Sequence, residues 1–233
     1  MKPVDLILQR DILLKKNSPT KEDNKKIAYG YYVEAFRILH RIQWYEEKGE
    51  DKPLPEENRS RGIDLLNKAL KYFPNFYEAI TYMGQYYQWE GENRKALECY
   101  ENAYLLFLEM SPEEQQEEWV LLDDLAEIYR KEGMINKSMW MYEKLIDIHI
   151  KRGANYSMKE FEKARPIDID LEDTIEKLYL LCIKNNQINA AKHIITTIKS
   201  LNPPKDSNTY LLLRTLEKAL NNPEEIDINH MLD

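Results

Sequence analysis

Residues 79–103 read AITYMGQYYQWEGENRKALECYENA, and their spacing decides how the chain folds. Gly84, Tyr87, Gly91, Ala96, Tyr100 and Ala103 fall at offsets of 0, 3, 7, 12, 16 and 19. Two amphipathic helices joined by a short turn need small and aromatic residues at such intervals, because side chains three and four apart share a helix face. Gly84 and Ala96 are small enough for two helix backbones to approach, and Tyr87 and Tyr100 fill the space beside them. Gly91 falls where the first helix must end, and glycine takes the left-handed conformation there at least cost.

The same register recurs along the chain. A second unit runs from Trp119, with Leu122, Leu125, Ala126, Tyr129, Gly133, Ser138, Tyr142 and Leu145 in the corresponding places. A third starts near Glu172 and carries Ile175, Leu178, Tyr179, Cys182, Asn186, Ala191, Ile195 and Ile198. Tyr179 stands there where a small residue is expected, which predicts looser packing or a changed angle. Asn186 replaces the turn glycine, and asparagine tolerates the left-handed region better than most residues. Upstream, Gly62, Leu66, Ala69 and Pro74 match the second helix of a further unit, and Ala69 precedes Ala103 by 34 residues.

This pattern resembles the tetratricopeptide repeat (TPR), a helix–turn–helix unit of roughly 34 residues. The resemblance implies an all-α fold, a right-handed solenoid of helical hairpins with about three to four helix pairs plus capping helices. The predicted organisation is an N-terminal helix and polar link (1–26), a repeat domain (27–221) and an acidic tail (222–233). Within the repeat domain, units lie near 27–74, 77–110, 119–152 and 172–205, with a cap at 207–221. Three stretches depart from a strict period. GEDKPLPEEN (49–58) reads as an exposed loop, since Pro53 and Pro55 exclude regular helix. Residues 109–118 and 153–170 hold surplus that longer second helices or extra turns would absorb.

Composition narrows the function classes. The 233 residues carry a formal net charge of −8, which argues against nucleic acid, since phosphate binding needs clustered Lys and Arg. Sixteen tyrosines and four tryptophans supply rings suited to helix seams and binding grooves alike. Cys99 and Cys182 have neither disulfide-framework nor zinc spacing, and buried thiols in a reducing, cytoplasmic setting are the expectation. Asp5, Arg10 and Asp11 interrupt the N-terminal apolar stretch, so no signal peptide is read there, and no run approaches a membrane span.

Catalytic patterns are missing from the sequence. The four histidines form no metal-binding pair, and no phosphate-binding glycine loop or nucleophile elbow is present. The acidic doublets, such as Asp123–Asp124 and Glu113–Glu114, diverge by about 100° on a helix and read as solvated faces. No enzyme activity, cofactor or metal is expected.

In the family this chain resembles, first helices of successive units line a concave surface that takes a peptide. Carried over by position, the partner-binding candidates are Tyr82, Gln85, Trp89, Asp123, Asp124, Glu127 and Lys177. The lysine–asparagine clamp that some members close on a C-terminal carboxylate is absent, since Thr81, Gln85 and Asp124 occupy its places. The acids Asp123, Asp124 and Glu127 favour a basic segment. Acids early and bases late in a helix also satisfy the helix dipole with no ligand at all. The expected function is a protein-binding scaffold or adaptor, with a peptide-responsive sensor, a secretion-type chaperone and a cryptic enzyme as alternatives.

Overall fold

A computed structural model describes residues 3–47, 56–157, 169–201 and 208–221. Among these residues the fold is all-helical, and packing divides the chain into two compact units, 1–107 and 108–233.

The first unit holds α1 (Pro3–Leu13), α2 (Lys21–Glu47), α3 (Glu56–Tyr72), α4 (Tyr77–Trp89) and α5 (Asn93–Phe107). Consecutive helices pack on one another, α1 on α2, α2 on α3 and α4 on α5. Helix α2 begins well before Ile27, so the expected polar link is partly helical. The cause is a cap: Thr20 Oγ1 accepts from the Asp23 N–H at 3.1 Å, and Asp23 Oδ2 accepts from the Thr20 N–H at 3.0 Å. This reciprocal pairing satisfies two amides that a helix start leaves open. At the expected 49–58 loop, residues 56–58 belong to α3 and residues 49–55 lie outside the described residues. Ala28, Ala35, Leu39, Leu66, Ala69 and Ala79 form the centre of the core, each 0 or 1% exposed. Arg10, almost buried, donates from Nη1 to Glu34 Oε2 at 2.5 Å, and Glu34 Oε1 also accepts from Arg61 at 2.7 Å. One carboxylate thereby ties α1, α2 and α3.

The second unit holds α6 (Pro112–Glu117), α7 (Val120–Lys131), α8 (Ile135–Ser157), α9 (Ile169–Lys184), α10 (Ile188–Ser200) and α11 (Asn208–Asn221). Part of the surplus at 109–118 becomes the short helix α6, started by a capping box between Ser111 and Glu114. The surplus at 153–170 lengthens α8 as far as Ser157 and starts α9 at Ile169; residues 158–168 lie outside the described residues. Helix α11 covers nearly the residues expected for the cap, 207–221, and the last twelve residues, expected as an acidic tail, lie outside the described residues.

Three hairpins close in one way. The Glu92 N–H donates to the Tyr87 carbonyl at 2.8 Å and the Gly91 N–H to Gln88 at 3.1 Å. Met134 and Gly133 repeat the pair on Tyr129 and Arg130, and Gln187 and Asn186 on Cys182 and Ile183. These crossed bonds are the Schellman ending of a helix, which requires a left-handed residue. Gly91, Gly133 and Asn186 supply it, with φ of 72°, 72° and 55°. Five residues after each lies a fully buried small residue, Ala96, Ser138 or Ala191.

Candidate functional site

In the first unit, α2 and α4 carry a continuous run of rings. The spacing of Tyr29, Tyr32 and Phe36 puts all three on one face of α2. Tyr32 meets Phe36 at 6.2 Å between centroids, Phe36 meets Tyr82 of α4 at 5.1 Å, and Tyr82 meets Trp89 edge-on at 6.1 Å. Tyr29, Phe36 and Trp89 remain 40%, 36% and 45% exposed, whereas Tyr82 is 5% exposed. Burial pushes the Tyr82 phenol well above its ordinary pKa, and its hydroxyl has no hydrogen-bond partner among the described residues. Of the sequence candidates, Trp89 therefore presents an accessible ring, Tyr82 supports it from behind, and Gln85 is half-buried on the same helix. The α2 rings were missed by the sequence reading, although their spacing of three and four was the available signal.

In the second unit, Asp123, Glu127 and Lys177 come together. Lys177 Nζ on α9 donates to Asp123 Oδ1 on α7 at 3.2 Å and pairs with Asp173 at 2.8 Å. Glu127 takes a two-pronged bond from Arg130, with Nε to Oε2 at 2.9 Å and Nη2 to Oε1 at 2.6 Å. Burial pushes the Asp123 carboxyl up, against the pull of Lys177. Burial acts on Glu127 in the same sense, but its bonds and charge interactions with Arg130, aided by Lys131 and Lys177, hold that carboxyl below its ordinary value. Two acids of the expected basic-partner site are thus paired with bases of this chain. Asp124 is half-buried beside them. Asp123 on α7 and Lys177 on α9 lie 54 residues apart in sequence, and the fold brings them together.

A cleft of about 240 Å³ opens among α8, α9 and α10. Its floor includes Ile175, Leu178 and Ile198, each 1% exposed. Glu143 and Asp147 stand along α8 on one rim, and His193 and Thr197 along α10 on the other. Residue sizes on the α9–α10 hairpin differ from those of the first hairpin. Gly84 lies against the Tyr100 ring in the first hairpin, but the corresponding pair in the third is Tyr179 and Ile195. The fully buried Tyr179 donates its hydroxyl to the Leu216 carbonyl of α11 at 2.8 Å, so α9 is shared between α10 and α11. The α9–α10 pair is the most sparsely packed of the three hairpins, as the bulky Tyr179 predicts.

Both cysteines are unpaired, Cys99 half-buried and Cys182 buried. Burial, with the nearby Glu98 and Glu143, lifts their thiols to about 11 and about 12, where the nucleophilic thiolate is scarce at neutral pH. Among the described residues no group of three or more His, Cys, Asp or Glu is placed to hold a metal ion. No helix among them is long and apolar enough to cross a membrane. In comparisons with known proteins, the chain matches no family model and no curated protein.

Proposed function

We propose that this protein is a non-catalytic interaction module of TPR-like build, an adaptor that grips a segment of a partner protein. The repeat reading rests on three hairpins with one shared ending and one shared set of offsets. The binding reading rests on the aromatic run of the first unit: three rings stay substantially exposed while connected ring to ring over a buried support. Aromatic side chains set rigidly in this way contribute most to interface energies, because little conformational entropy is lost when a partner covers them. The segment that fits presents apolar or aromatic side chains. By contrast, the paired acids of α7 offer less to a basic partner. A cytoplasmic setting belongs to the same proposal, since both thiols are unpaired.

Affinity capture from cell lysate, run in parallel with wild type and with the Phe36→Ala/Trp89→Ala variant, tests this reading. A protein retained by wild type and lost from a variant of unchanged circular dichroism is the expected result. Capture that ignores both substitutions would overturn it.

A further inference from the structure

We infer that the cleft between α8 and α10 is a second docking site, one that takes a basic peptide segment. A large apolar side chain of the segment seats on the floor, and a flanking lysine or arginine meets Glu143 and Asp147.

Size argues for a side chain as occupant. At about 240 Å³ the cleft falls below the range of roughly 300–1,000 Å³ usual for drug-sized ligands. The floor of Ile175, Leu178 and Ile198 is apolar, so a branched or aromatic side chain gains by leaving water there. Charge selects what flanks it. Glu143 and Asp147 are four residues apart and share one face of α8. Unlike Asp123 and Glu127, neither carboxylate has an ion-pair partner among the described residues, and both are exposed at the rim. Two carboxylates with no ion-pair partner among the described residues, set beside an apolar seat, attract a cation and repel an anion, which sets the sign of the segment. The cleft lies wholly within the second unit, so it stands or falls apart from the aromatic face of the first.

The test is a methyl NMR titration of the full chain labelled at isoleucine δ1 carbons. The probes are the capped hexapeptide Lys-Lys-Leu-Leu-Lys-Lys, its counterpart with glutamate for lysine, and hexylamine. Shifts at Ile146, Ile175, Ile194 and Ile198 with the lysine peptide alone are expected. Glu143→Lys with Asp147→Lys should weaken that binding about fivefold or more while leaving other methyl signals in place, since both residues are exposed. Three results would overturn the inference. One is no shift at these methyls at about 1 mM peptide, a concentration that detects very weak complexes. Another is equal binding of the glutamate peptide. The last is hexylamine binding as tightly as the peptide, which would assign the cleft to a small amine. None of these results bears on the Phe36 and Trp89 capture experiment.

Discussion

The ring of Tyr100 lies over the α-carbon of Gly84, so closely that a β-carbon placed there would sit 2.6 Å from Cε1 and 2.7 Å from Cδ1. Tyr100 has nowhere to retreat. It is fully buried, and its hydroxyl donates to Gln88 Oε1 at 2.8 Å. Gly84→Leu should therefore destabilise the first unit by about 2 kcal/mol or more through overpacking. Urea denaturation of the two proteins measures this, and equal midpoints would contradict the packing.

Ser138 occupies the place of Ala96 in the second hairpin, fully buried, and its hydroxyl has no hydrogen-bond partner among the described residues. Desolvating a hydroxyl without compensation is unfavourable, and alanine is also the better helix former. Ser138→Ala should raise stability by about 1 kcal/mol, read from the same denaturation curves.

Asn186 holds φ at 55°, where Gly91 and Gly133 hold the equivalent turns. Glycine at that position relieves strain from the β-carbon, so Asn186→Gly should stabilise by roughly 0.5 kcal/mol and Asn186→Ala should destabilise by about 1 kcal/mol. Opposite shifts in melting temperature from the two variants would establish the point, and shifts of one sign would refute it.

Asp23 reports on acid sensitivity. The Thr20 backbone N–H, with Lys16 and the Thr20 hydroxyl, lowers its carboxyl from 3.8 to about 2. A carboxyl whose folded-state pKa is depressed stabilises the fold above its unfolded value and loses that contribution as pH falls through the folded one. Asp23→Asn should thus lower the melting temperature at neutral pH, and its curve should converge on that of wild type as pH falls through and below about 2. A constant gap across the titration would show that the cap, and not its charge, carries the effect.

Much of this architecture was readable because its signals are local. Gly91, Gly133 and Asn186 mark their own turns, and Ala96, Ser138 and Ala191 follow at a fixed distance. Helix ends were less legible where a cap overrides composition: Thr20 and Asp23 pull a polar stretch into α2, and Ser111 with Glu114 folds part of an apparent insertion. The candidate site was read only in part. Trp89 was found on position alone, but its companions Tyr29 and Phe36 sit in a unit whose repeat register is faint. Asp123 looked like a bare acid because Lys177 lies 54 residues away, whereas Glu127 and Arg130, three apart on one helix face, were open to inspection. The third hairpin departs from the pattern at the bulky Tyr179, whose hydroxyl leads to a helix more than thirty residues away.

That bond also bears on where the protein can be cut. A fragment ending ahead of Asn208 would strand the phenol of Tyr179 without its acceptor and bare the side of α9 that α11 covers. Anyone dissecting the second unit should keep the terminal helix, because what looks like a removable appendage completes the interior of the helix before it.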